Sequence, residues 1–216
     1  MMEIKRIEID CCEARMLPHN MSQKGIEYHK LSFVNWEADF PYLPSVEVAF
    51  AHDGENIFIH FKVQENSVRA VAEKDQDAVW QDSCVEFFSQ PNPKERIYYN
   101  LECNCTGKIL LAAGDGRDNR KIAPRDVTDY IKRWSSLGTE PFDEKKQITE
   151  WEVALIVPKS FYFLHEIESL SNMTIRANAY KCGDKLSVPH FVSLFSIKTN
   201  KPDFHRPEFF KELKLK

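Results

Sequence analysis

The 216-residue sequence predicts an all-β fold, an antiparallel β-sandwich of jelly-roll or immunoglobulin-like type with a few short peripheral helices. Three observations lead there. Val46, Val48 and Phe50 alternate with polar or small residues, Asp53-Gly54 follows, and Ile57, Ile59, Phe61 and Val63 resume the alternation. That is the period-two signature of a β-hairpin. A second hairpin is written in Ile97, Tyr99, Leu101 and Cys103, with Thr106-Gly107 turning the chain into KILLAAG. Helical signals, by contrast, are few and poorly capped.

Taken in order, the first strand is expected over 3–9, followed by the hairpin at 46–63. The apolar run CVEFF at 84–88 comes next, then the hairpin from 97. Later strands fall at 148–157 (ITEWEVALIV), 174–181 (TIRANAYK) and 190–197 (HFVSLFSI). A turn or two of helix is expected over 124–131 and 158–164. Pro207 suits the first position of a terminal helix, PEFFKELK. The stretches 10–30 and 114–147 read as irregular, but neither shows the compositional break of a domain boundary. Residues 1–216 are therefore expected to form one domain.

Composition excludes several function classes. A net charge of −4, with both signs interspersed, gives no electrostatic basis for a nucleic-acid partner or an anionic membrane. No stretch approaches the roughly 18–20 apolar residues of a membrane span. The opening residues MMEIKRIEIDCCEARM lack the apolar core of an export signal. The expectation is a cytoplasmic protein as the chain is given, or an extracellular or periplasmic one if residues have been removed ahead of it. The six cysteines (Cys11, Cys12, Cys84, Cys103, Cys105 and Cys182) form no CxxC pair and read as reduced, buried small hydrophobes. Sequons at Asn20, Asn104 and Asn172 read as chance matches. Oligomeric state leaves no mark in the sequence.

Strand parity gathers the polar residues. In 84–88, Val85 and Phe87 point one way, while Cys84, Glu86 and Phe88 point the other. Tyr98, Asn100, Glu102 and Asn104 share one face of their strand, and Arg176, Asn178 and Tyr180 share one face of theirs. Planar hydrogen-bonding groups of this kind pair well with sugar hydroxyls. An indole offers the largest apolar surface for a pyranose ring, and Trp80 stands at the entrance to the 84–88 strand. The candidate ligand-binding set is therefore Trp80, Glu86, Tyr98, Asn100, Glu102, Arg176, Asn178 and Tyr180. Plainer roles compete with it. Trp80 could cap the core, Glu86 could pair with Arg176, and Asn100 and Asn178 could satisfy irregular backbone. No organic cofactor is called for. Asp75, Asp77 and Asp82 form the one candidate cluster for a structural calcium ion.

The segments WQDSCVEFF (80–88), YYNLECNCTGKI (98–109), RANAYKCGD (176–184), PHFVSLFSI (189–197) and FHRPEFFKEL (204–213) together resemble the carbohydrate-binding module family 9-like proteins, in particular free-standing versions from Bacteroidetes-type bacteria. The resemblance spans nearly the whole chain. It implies a β-sandwich related to jelly-roll and DOMON-like folds, often with structural calcium. It also implies a terminal sugar held between two tryptophans. The first of these, with a glutamate six residues on, matches Trp80 and Glu86. The family's arginine on the following strand falls at or near Asn100, a departure. The second tryptophan, expected near Leu194, is missing, and Phe191, Phe195 or Tyr180 are the aromatic residues that could stand in for it.

Non-catalytic binding of a mono- or oligosaccharide end is thus the leading expectation. The alternatives are a glycoside hydrolase using Glu86 and Glu102 as its carboxylate pair, and a DOMON-like interaction module. The histidines form no HExxH, and neither GxSxG nor a phosphate-binding glycine loop occurs.

Overall fold

The computed structural model describes residues 2–9 and 13–216; Cys11 and Cys12 lie outside them. The strands are β1 Met2–Arg6, β2 Tyr28–Lys30, β3 Phe33–Val34, β4 Ser45–His52, β5 Asn56–Glu65, β6 Val68–Ala70, β7 Cys84–Gln90 and β8 Tyr98–Asn104. They continue with β9 Ile109–Gly114, β10 Lys121–Ile122, β11 Lys132–Ser135, β12 Phe142–Lys145, β13 Thr149–Pro158, β14 Thr174–Cys182, β15 Phe191–Ser193 and β16 Lys211–Leu215.

Fourteen strands belong to one curled sheet whose main path runs β10-β9-β8-β7-β14-β16-β1-β4-β5-β13-β11. On its margins β2 lies along β4, β15 along β14 and β3 along β15, while β6 and β12 pair separately. The two arms fold face to face and bury one apolar layer between them. Val85, Phe87 and Leu101 from one arm meet Val48, Phe50, Ile59, Phe61 and Val153 from the other. Phe50 and Phe87 touch across the layer with ring centroids 5.4 Å apart. Truncating one such buried phenylalanine to alanine typically costs about 3–5 kcal/mol. Both expected hairpins form, β4–β5 and β8–β9, in register from end to end. Their turns place Gly54 at φ +97° and Gly107 at φ +82°, where a side chain would be strained.

The all-β expectation holds, with four corrections. The sheet is not wholly antiparallel, because β1 runs parallel to both β16 and β4 and joins the two arms. The terminal segment is not a helix. A single 3-10 turn at Pro207–Phe209 leads into strand β16, whose Leu213 and Leu215 are buried at period two. The 10–30 stretch contains a helix, α1 (Leu17–Gln23), which sinks Leu17 and Met21 against the outer face of β4, β5 and β13. The 114–147 stretch contains β10, α2 (Arg125–Thr128), β11 and β12 rather than open coil. No helix of the described residues is long and apolar enough to cross a membrane.

Candidate functional site

The outer face of β14, β7, β8 and β9 is built in rows by strand register. Tyr180, Glu86, Glu102 and Leu110 form one row; Asn178, Phe88, Asn100 and Ala112 form the next. Parity thus brings the expected polar residues to one face. A coil then decides which of them remain open. Residues 202–210 cross this face, stacking Phe204 on Tyr180 at 4.1 Å and 7° and setting His205 against Phe88 and Tyr98. Beside the coil, a cavity of about 340 Å³ remains over Glu86, Glu102 and Asn100.

Four of the eight candidate residues line this cavity: Trp80, Glu86, Asn100 and Glu102. The other four lie outside its wall. Tyr98 is buried and hydrogen-bonded through its hydroxyl to His205 Nδ1 at 2.9 Å. Tyr180 is sealed under Phe204 and donates to its carbonyl at 3.3 Å. Asn178 is taken up by the backbone of Phe195, donating to its carbonyl and accepting from its N–H, each at 3.0 Å. Arg176 donates to the carbonyls of Glu208 and Phe210 and so ties down the crossing coil; it does not pair with Glu86.

Trp80 does not cap the core. It sits in a 3-10 turn, Val79–Gln81, in which Val79 is buried while the indole stays 36 % exposed at the cavity. The turn is anchored by the fully buried Asp82. Its carboxylate accepts from the N–H groups of Val71 and Ala72, from Asn104 Nδ2 and from Arg69 Nη1, all at 3.0 Å. The loop after β14 secures the other side, where Lys185 N–H donates to Gln81 O at 3.1 Å. The turn that carries the indole is therefore tied down on both sides.

The floor is electrostatically unusual. Glu86 and Glu102 are direct cross-strand partners, 3 % and 4 % exposed, and like charges placed opposite one another are destabilising. Burial, then the neighbouring Glu102, pushes the Glu86 carboxyl well above its ordinary range. Burial raises Glu102 to about 7, against a hydrogen bond from Asn100 and the charge of Arg120. Asp184, on the cavity wall, is raised by burial to about 6. Asn100 Nδ2 donates to Glu102 Oε1 at 2.9 Å, while Glu102 Oε2 is buried without a partner.

Sequence reasoning missed Arg120, which comes from the 115–120 loop. Its Nε donates to Asn100 Oδ1 at 2.8 Å and its Nη2 to Tyr98 O at 2.9 Å, with the guanidinium 4.2 Å over the Tyr98 ring. An arginine does reach the Asn100 position, but from a loop. Arg117, Asp184, Phe204 and His205 were also missed; only their run of charged and aromatic residues within otherwise irregular segments hinted at them. Of the three substitutes for a second aromatic wall, Phe191 alone lines the cavity, backed by Phe40 at 4.9 Å and Trp36 at 6.2 Å. Phe195 packs against the main core, and Leu194 is buried in it.

The three aspartates do not fit a calcium site. Asp82 is saturated as described, Asp75 accepts from Ile109 N–H and Arg133 Nη1, and Asp77 accepts from Glu73 and Lys74 N–H. Calcium requires six to eight converging oxygens, whereas these carboxylates turn to separate nitrogen donors.

Residues 15–215 match the family described as carbohydrate-binding family 9. The chain belongs to that family. A solved structure from Bacteroides uniformis, titled as a candidate carbohydrate-binding protein, is 42 % identical, covers 100 % of this chain and 98 % of its own, and superposes with a TM-score of 0.97. Two family 9 structures from Caldicellulosiruptor kristjanssonii show the same fold at 12 % identity. One, in complex with cellotriose, has a TM-score of 0.59 and covers 100 % of this chain and 93 % of its own. The other, in complex with glucose, has a TM-score of 0.61 and covers 99 % and 95 %. No curated protein matches. The family 9 sandwich of this chain thus carries a cavity whose acidic floor and aromatic rim come from β7, β8, β15 and the loops around them.

Proposed function

We propose that this family 9 protein binds the end of a saccharide without cleaving it, in the cavity bounded by Trp80, Phe191, Glu86, Asn100 and Glu102. The observation that supports this reading most directly is the exposed indole of Trp80 beside a buried carboxylate-and-amide floor. Ring C–H groups would stack on the indole, and hydroxyls would donate to and accept from the floor. A volume of about 340 Å³ lies at the small end of ligand cavities, which run from about 300 to 1,000 Å³. That suits a chain end rather than a long internal stretch. Relatives titled as complexes with glucose and cellotriose point to glucose and β-glucan oligosaccharides as the first ligands to try.

The same two glutamates are the residues a hydrolase would use. They stand side by side on one floor, whereas hydrolysis needs carboxyl groups flanking the scissile bond. Calorimetric titration with glucose, cellobiose and cellotriose tests the binding reading, with Trp80→Ala and Glu86→Gln as the variants that should lose heat of binding. A protein that binds none of a broad glycan panel ends this reading. An oligosaccharide cleavage that disappears in Glu86→Gln replaces it with the enzymatic one.

A further inference from the structure

One side of the cavity holds more than a sugar requires. Cys84 and Cys182 are register partners on adjacent antiparallel strands, and Glu86 follows Cys84 on the same face. The two sulfurs and a Glu86 carboxylate oxygen all lie within 4.8 Å of one another, and all three residues are buried. The Cys182 thiol donates to Glu86 Oε1 at 3.1 Å. Asp184 brings a second carboxylate beside Cys182. Across the strand pair, Glu102 Oε2 is buried with no hydrogen-bond partner.

Among the described residues no lysine or arginine forms a salt bridge with these groups, although Arg117 and Lys185 act on Asp184 and Arg120 on Glu102 from a distance. Lys181 points into the sandwich interior and is paired with Glu65 at 2.9 Å. Arg120 is occupied by Asn100 and by backbone carbonyls. Arg117 lies 3.6 Å from Asp203. Two sulfurs and two carboxylates form a donor set for a borderline-soft ion, and a tetrahedral zinc site takes such ligands. Calcium and magnesium, which take oxygen alone, suit it poorly.

We propose that Cys84, Cys182 and Glu86, with Asp184 as fourth donor, form a binding site for a divalent cation of the zinc type at the edge of the cavity. Binding forms two metal–sulfur and two metal–oxygen bonds, both thiol protons and any carboxyl protons held by Glu86 and Asp184 leave to solvent, and no electrons are transferred. Because thiols bind such an ion only as thiolates, affinity rises with pH. The site stands on its own donors and does not depend on the saccharide reading.

The test uses the full chain, reduced and freed of metal, titrated with Co²⁺ and then Zn²⁺. The expected result is a thiolate-to-cobalt charge-transfer band that saturates at one equivalent and is bleached by Zn²⁺. Cys182→Ser and Cys84→Ser should each abolish or strongly weaken the band. Cys103→Ser should retain it, since that sulfur belongs to the core between the arms. Native mass spectrometry of the wild type should show one zinc with the loss of two protons, which keeps the test decisive if a serine variant fails to fold. Absence of the band and of the zinc adduct in folded, reduced wild type overturns the proposal, as does a band that survives in the folded double serine variant. Glucose binding with no metal binding rejects the metal site alone; the converse rejects the saccharide reading alone.

Discussion

Strand β14 separates two buried acidic regions that are handled in opposite ways. On its inner face Lys181, with no exposed surface, pairs with Glu65 Oε2 at 2.9 Å, while Trp151 Nε1 donates to Glu65 Oε1 at 2.7 Å. His190 Nε2 lies 2.8 Å from Lys181 Nζ, its pKa pushed well down by burial and by the Lys181 charge. On the outer face, Glu86 and Glu102 oppose each other with an amide, a thiol and a distant arginine but no direct cation. A buried carboxylate supplied with a cation and an indole donor holds the two arms together. A buried pair left short of partners is what the proposed saccharide site requires, since perturbed groups cluster at functional sites.

Four measurements break or sharpen that contrast. Lys181→Met strands Glu65 without its cation and should destabilise the fold by about 3–5 kcal/mol in urea denaturation. Replacing Glu65 by Leu in the same chain should recover most of the loss. A single variant of near wild-type stability would mean the inner pair is not structural. Trp80→Ala should weaken saccharide binding by about 2 kcal/mol or more, roughly thirtyfold, on calorimetry. The same variant should change unfolding stability by less than about 1 kcal/mol, because the indole is partly exposed.

Glu102→Gln should do the reverse on the stability axis. In metal-free protein the folded pKa of about 7 lies above the ordinary value, so the folded state holds a proton that the unfolded chain has released. Wild-type stability therefore falls as pH rises from about 4.5 to 7. The glutamine variant should show a shallower slope, that of Glu86 and Asp184 remaining, and be more stable than wild type by roughly 1–3 kcal/mol at pH 7, while binding saccharide less well. Equal stabilities at pH 7 would mean that burying the ionised Glu102 carboxylate carries no cost.

The smallest effect concerns His205, whose pKa is pushed down to about 3 by burial, Arg120 and Arg117. Here the unfolded chain takes a proton below about 6.5 that the folded state refuses, so stability is lost as pH falls from 6.5 toward 3. His205→Gln should flatten that limb, a difference of about 1 kcal/mol at pH 5.5 in thermal melts.

Much of this was visible in the sequence because a strand writes its two faces at period two. Glu86 could be separated from Val85 and Phe87, and Asn100 and Glu102 from Leu101, without any knowledge of neighbours. Parity gives the face but not its cover. Tyr98 and Tyr180 lie on the expected side, yet Phe204 and His205, arriving from more than 20 residues further along the chain, seal them. Arg120 was hidden for the same reason, since a loop side chain reaches Asn100 only through tertiary placement. The helix expected in PEFFKELK rested on Pro207 at a first helical position, whereas the gap beside β1 and β14 selects Leu213 and Leu215 at strand spacing. No tryptophan stands near Leu194, and of the three aromatic residues between which sequence could not decide, Phe191 is the one that lines the cavity.

The parallel seam at β1 also has a kinetic consequence. Met2 pairs with Leu213, so the two arms are joined by contacts spanning almost the whole chain. Folding of such high contact order is slow. Each hairpin can form as it leaves the ribosome, but the arms cannot be sewn together until residues 211–215 have emerged. Until then β1 and β14 each keep an open edge toward the missing β16, the kind of exposed edge that invites pairing with a wrong neighbour.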